Sequence, residues 1–153
     1  MSFEDLCVQS SLITDPRYYR GMLSIHDAGE TIRRIGLTAG LIPIPEFRVT
    51  TPKQKRVIDW VWITPSKQVV AAFEIDGINC AKVTYEKATE SLGAIDCELK
   101  YLVLYQVRKF ELLTPKRFLL AQKRKLDAEG IECVLDYAFP VSVKSSLAIY
   151  NGG

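Results

Sequence analysis

Tyr101–Val107 reads Y-L-V-L-Y-Q-V, a run with almost no polar side. Successive side chains on a strand point to opposite faces, so a strand that is apolar on both must be covered on both. That requirement selects a central sheet strand with helices above and below it, an α/β arrangement. At 153 residues the chain has the length of one domain and enough material for a sizeable core. Apolar residues make up 48% and charged residues 25%, values of an ordinary globular protein rather than a disordered one.

The other elements fall around this strand. Residues 1–25 are a poorly defined lead-in containing Pro16, with a short helix near 2–10. Asp27 is a candidate N-cap with Glu30 three residues on, the capping-box spacing, and Ile32, Ile35 and Leu37 give partial helical periodicity. Gly40 stops this first helix near Ala39, and Pro43 and Pro45 forbid its continuation. Three strands follow: Phe47–Thr50, Val57–Ile63 and Val69–Asp76. The last two are joined by the turn Thr64-Pro65-Ser66-Lys67, short enough to make them antiparallel neighbours. A second helix spans about 80–96, with Val83, Lys87 and Glu90 along one face and Ala88, Leu92 and Ile95 along another. After the apolar strand, Thr114-Pro115 opens a third helix that Gly130 closes, and Ile131–Phe139 reads as a last strand before a frayed Asn151-Gly152-Gly153 tail. The expected fold is a single domain over residues 1–150, a mixed four- to five-stranded sheet flanked by helices in the order α-β-β-β-α-β-α-β.

Composition excludes several classes. Cys7, Cys80, Cys97 and Cys133 contain no CxxC pair, and His26 is the single histidine, so a structural zinc site has no ligand set. Reduced thiols in a reducing compartment are expected. The acids of the opening Met1-Ser2-Phe3-Glu4-Asp5, and the absence of any apolar run near the ~20 residues of a membrane span, point to a cytoplasmic protein without membrane attachment. A net charge of +2 is too small to imply nucleic acid, so any such partner must be argued from local patches.

Two strands carry acids where their patterns call for core residues. Glu74 lies inside V-V-A-A-F-E-I-D and shares a strand face with Asp76, and Asp59 is the matching anomaly inside V-I-D-W-V-W-I. A buried carboxylate requires a cation, a proton or hydrogen bonds. Adjacent antiparallel strands bring Asp59 beside Glu74, and Mg²⁺ (or Mn²⁺) takes such oxygen ligands while keeping several waters. Each acid alone has a structural explanation: Asp76-Gly77 is a turn pair, Glu74 can meet a lysine or arginine, and Asp59 can sit at an edge. Trp60 and Trp62 share a strand face and read as core. Basic residues form two patches. Lys53, Lys55 and Arg56 precede the Asp59 strand, and Lys116, Arg117, Lys123 and Arg124 fall in an arc of roughly 120° on the third helix, opposite Phe118, Leu119, Gln122 and Leu126. Either can face phosphates or simply solvent.

The segment K-R-V-I-D-W-V-W…V-A-A-F-E-I-D-G, with its element order, resembles the PD-(D/E)xK nuclease superfamily over about residues 27–107. It is similar to subgroups, related to very-short-patch-repair endonucleases, that carry D…E-x-D-G before a helix. The resemblance implies a restriction-endonuclease-like fold and Mg²⁺-dependent phosphodiester hydrolysis in DNA or RNA. It places the metal-holding acids at Glu30, Asp59 and Glu74. Asp76 stands where many members have a catalytic lysine, and members with the basic residue on the following helix make Lys82 or Lys87 its counterpart. Where such members often have a histidine, this chain has Asn79 and Cys80. The two departures leave open a nuclease-fold module that binds nucleic acid or a protein partner without turnover. So small a catalytic domain is expected to act as a homodimer or beside a larger protein.

Overall fold

A computed structural model describes residues 25–78, 80–105, 115–135 and 139–152. The expected helix near 2–10, Asn79, the end of the apolar run at Gln106 and Val107, and the Thr114 cap lie outside them. In chain order the elements are α1 (Ile25–Thr38), β1 (Ile42–Thr50), β2 (Lys55–Ile63), β3 (Val69–Gly77), α2 (Lys82–Gly93), β4 (Leu99–Tyr105), α3 (Lys116–Ala128), β5 (Glu132–Leu135) and α4 (Phe139–Gly152). The strands form one mixed five-stranded sheet in the order β1-β2-β3-β4-β5. β1–β2 and β2–β3 are antiparallel, and β3–β4 and β4–β5 are parallel.

Each face of the sheet is covered by a helix pair, as the two-sided apolarity of β4 requires. Trp62, Phe73, Ile75, Tyr101 and Val103 pack with Ala28 and Ile32 of α1 and with Phe139, Val143 and Leu147 of α4. On the opposite face Ala72, Leu102, Leu104, Cys133 and Leu135 pack with Tyr85, Ala88 and Leu92 of α2 and with Leu119 and Leu126 of α3. Phe73 and Ile75 belong to the first face, so Glu74 and Asp76 between and beyond them belong to the α2 side.

The structure differs from the sequence reading at four places. β1 begins at Ile42 and runs through Pro43 and Pro45. It is the edge of the sheet, where an outward-facing N–H needs no partner and proline is tolerated. Asp27 lies inside helix α1 (Ile25–Thr38) rather than at its cap. Pro115, expected at the first helical position, is instead the N-cap of α3, so the helix begins one residue later, at Lys116. The last strand is described over Glu132–Leu135, residues 136–138 lie outside the described residues, and Phe139, expected to end that strand, belongs to a helix absent from the expected order. That helix is rich in Val and Ser, poor helix formers, and it exists because Phe139, Val143 and Leu147 recur every four residues and cover Phe73 and Tyr101. No described helix is long and apolar enough to cross a membrane.

Candidate metal and phosphate site

Asp59 interrupts β2. The β2–β3 ladder runs from Ile63↔Val69 to Trp60↔Phe73 and stops there. At the next step the Ile75 N–H donates to Asp59 Oδ2 at 2.8 Å, so a carboxylate takes the place of a backbone acceptor. On the other side Glu46, opposite Asp59 by register, drops out of the β1–β2 ladder and holds a left-handed backbone with φ of 52°. Ile58 and Val61, three residues apart, therefore join the same core cluster, which an unbroken strand would forbid. The distortion turns Asp59 toward β3, whose register continues to Glu74.

Glu74 is the more unusual of the two. Its Oε1 is buried without a hydrogen-bond partner. Burial raises its pKa to about 9 from the ordinary 4.5, and the negative charge of Asp59 adds to the rise. Burial also pushes Asp59 upward, opposed by its bond from Ile75. Asp76 bonds the Gly77 N–H through Oδ1 at 2.9 Å and contributes its charge to both neighbours. Three acids thus share one region, yet among the described residues no three Asp, Glu, His or Cys side chains converge as ligands of one ion. Glu30 does not join the pair: its carboxylate is held by Arg33 at 2.7 Å and Arg34 at 3.0 Å on its own helix. Hydrogen bonds from Arg33 and then Arg34 hold its pKa down at about 2.

Glu74 lies in an open cleft of about 730 Å³ between the β1–β2 hairpin and α2, lined by Arg48, Val49, Thr50, Lys55, Arg56, Val57, Glu74, Lys87 and Ser91. The structure thus separates the two lysine candidates. Lys87 lines the cleft with Glu74, whereas Lys82 extends into solvent beside Glu86 at 3.8 Å. Arg56 also lines it, but Glu90 of α2 accepts two bonds from its guanidinium, at 2.7 and 3.1 Å. The other Glu90 oxygen accepts the Thr51 hydroxyl at 2.6 Å, and the Thr51 oxygen in turn accepts the backbone N–H groups of Lys53 and Gln54. One buried-edge carboxylate therefore fastens the hairpin turn to α2. Lys53 lies in that turn and does not line the cleft.

The basic arc of α3 lies elsewhere. Leu119, Gln122 and Leu126 are buried as expected, Arg117 and Arg124 are exposed, and Lys123 pairs with Asp127 at 3.2 Å. None of them lines the cleft, and the side chain of Lys116 lies outside the described residues. Cys80, where the resemblance expects a histidine, has its thiol pushed up to about 11 by burial, which leaves it protonated and a poor ligand near neutral pH. Sequence reasoning missed Arg48 and Glu46. Both sit on β1, where only the alternation of a correctly bounded edge strand would have assigned their faces.

A comparison with protein-family models finds no match, and a comparison with curated proteins finds none either.

Proposed function

We propose that this chain is a divalent-metal-dependent nuclease of the restriction-endonuclease-like kind, hydrolysing phosphodiester bonds in DNA or RNA with Mg²⁺ (or Mn²⁺). One observation carries the reading: a carboxylate, Glu74, with a buried and unpartnered oxygen, next to Asp59 and lining a cleft with Lys87. Such a group must hold a proton or a cation. Asp59 and Glu74 fit a hard cation that keeps several of its own waters, which two carboxylates suffice to anchor. When bound, the ion supplies charge neutralisation at the scissile phosphate and a lowered pKa for water. Glu74 gives up its proton to admit the ion. Asp59 is held in position by the Ile75 N–H. Lys87 approaches from α2, across the cleft from the hairpin, and offsets charge on the phosphate in place of the lysine that Asp76 replaces. The reading carries with it a cytoplasmic protein acting as a homodimer or beside a larger partner.

The test is cleavage of single- and double-stranded DNA and RNA with Mg²⁺ and with Mn²⁺. Glu74→Gln, nearly isosteric but without the charge, is expected to abolish cleavage while retaining the fold. Lys87→Ala is expected to lower the rate by the 10²–10³ typical of a lost charge-stabilising donor, and Lys82→Ala to leave it unchanged. Cleavage that survives Glu74→Gln places the chemistry elsewhere.

A second reading, a nuclease-fold module that binds nucleic acid or a protein partner without turnover, is favoured by two features. Asp76 adds negative charge where the resemblance expects a lysine, and Glu30 is captured by Arg33 and Arg34. Binding without cleavage of any substrate would select it.

A further inference from the structure

The turn end of the β1–β2 hairpin, residues 48–57, leaves the sheet. The β2–β3 ladder ends at Trp60↔Phe73, and at the next step the Asp59 carboxylate, not a backbone carbonyl, meets the Ile75 N–H. From there to the turn, β1 and β2 pair with each other and, among the described residues, with no other strand. Both strands are irregular where the departure begins. Glu46 drops out of the β1–β2 ladder with φ of 52°, a left-handed backbone uncommon for residues other than Gly, and Asp59 lies opposite it. A few residues that absorb a change of φ and ψ are what a hinge needs, and here they lie on one line across the ribbon. Phe47 and Ile58, one step outward, pack into the core and fix the inner edge of that line.

Beyond them little holds the arm down. Of residues 48–57, Val49, Thr51 and Arg56 turn inward, and the others are exposed. Val49 packs against the core. Thr51 and Arg56 are both held by Glu90 of α2: one carboxylate oxygen accepts the Thr51 hydroxyl at 2.6 Å, and the other accepts two guanidinium N–H groups at 2.7 and 3.1 Å. Register puts Val49 and Arg56 on the α2 side and Arg48 and Lys55 on the other, so the attachments come from one side alone. The turn is stapled internally, because Thr51 accepts the Lys53 and Gln54 N–H groups and its own N–H donates to the Gln54 carbonyl. The arm therefore moves as one piece. Residues 48–50 and 55–57 line the cleft, with Glu74, Lys87 and Ser91 as the rest of the lining.

We infer that residues 48–57 are a gate over the buried Glu74 carboxyl, hinged at Glu46 and Asp59 and latched to α2 by Glu90. Opening breaks the three bonds to Glu90 and the Val49 contact, and it breaks no backbone bond between strands. Glu90 is thus a positioning residue that touches no ligand. The gate governs access to Glu74 whatever enters the cleft, so it does not depend on the nuclease reading.

The experiment is native-state hydrogen exchange of the full chain in metal-free buffer, for the wild type, Glu90→Ala and Glu86→Ala. Glu86 pairs with Lys82 on the exposed side of the same helix, so its removal leaves the latch intact. In Glu90→Ala the amides of residues 48–57 are expected to exchange about 10–100-fold faster, the factor for losing hydrogen bonds to a charged group. Amides of the β2–β3 ladder and of β4 are expected to keep their wild-type rates, and Glu86→Ala to match the wild type throughout. Arg56→Ala cuts the latch from the hairpin side and is expected to give the same pattern, so poor folding of one variant leaves the other. Access is read separately: Glu74→Cys, alone and with Glu90→Ala, is treated with iodoacetamide, and labelling at position 74 is followed by mass spectrometry. Cutting the latch is expected to speed that labelling by the same factor as the exchange. Unchanged exchange in residues 48–57, an equal rise across the whole sheet, or faster exchange without faster labelling at position 74 would each overturn the gate. Cleavage assays bear on the nuclease reading alone, since neither readout here needs metal or turnover.

Discussion

Glu74 couples the fold to pH. Its carboxyl titrates near the ordinary 4.5 in the unfolded chain and at about 9 in the folded one. Between those values the folded state keeps a proton that the unfolded chain releases, so metal-free stability falls as pH rises through that window and levels off above it. Glu74→Gln removes this dependence. In metal-free buffer the variant is expected to melt above the wild type at about pH 8, with a gain that shrinks toward about pH 5.5, which lies only about one unit above the unfolded-state value, so that keeping the proton on the folded chain costs little there. Thermal melts of both proteins across that range decide it, and a constant difference would deny the buried proton. The same linkage governs the ion. Mg²⁺ or Mn²⁺ displaces the proton, so it is expected to raise the wild-type melting temperature, by about 2.7 kcal/mol of stability at a hundred times its Kd, and more strongly at higher pH. Asp59→Asn with Glu74→Gln is the control, and an equal response in the two proteins would remove the site.

Helix α1 reaches the sheet through its glycines. Trp62 is fully buried beneath it and donates its indole N–H to the Ile32 carbonyl at 3.1 Å. A Cβ at Gly36 would collide with that indole nitrogen and its ring neighbours, and one at Gly29 would come to 2.7 Å from Trp60 Nε1. Trp62 has no room to yield, whereas Trp60 is only partly buried. Gly36→Ala is therefore expected to destabilise by about 1–3 kcal/mol, the usual cost of overpacking, despite the better helix propensity of alanine. Gly29→Ala should cost less. Urea denaturation of the two variants checks the order, and a stabilised Gly36→Ala would mean that α1 docks differently. Across the sheet, α2 packs through Tyr85, Ala88 and Leu92 and is fastened by polar groups as well: Glu90 joins Arg56 and Thr51 to the helix that carries Lys87. One carboxylate thus ties the hairpin turn to α2 at the edge of the cleft.

The molecule is a sheet closed on both faces, and α4 completes one of them. Phe139 is fully buried and meets Phe73 and Tyr101 edge-on, with ring centroids 5.7 Å apart in each case. The Tyr101 hydroxyl bonds Ser146 of the same helix at 2.9 Å. Phe139→Ala is expected to cost about 3–5 kcal/mol, as for other buried phenylalanines, and deletion of residues 139–152 to abolish cooperative unfolding. Far-UV circular dichroism against denaturant measures both. A shortened chain that still unfolds in one sharp transition would show that α4 is dispensable.

The pattern of residues determined the layers and the acid pair, because both depend on short-range periodicity. The two-sided apolar run of β4 demands helices on both faces, and the short turn after β2 makes Asp59 and Glu74 neighbours. Tertiary structure decided the rest. Whether Glu30 is available depended on two arginines on its own helix closing around it, a choice among rotamers that spacing does not express. Lys87 rather than Lys82 lines the cleft because the hairpin turn is tied to α2 at Glu90, well beyond the first helical turn. Arg48 enters the site and Arg56 is taken up by an ion pair for the same reason: contacts between residues far apart in sequence set which charges remain free. The unpartnered oxygen of Glu74 belongs to that category too, since burial is a property of the assembled sheet and helix rather than of the strand that carries it.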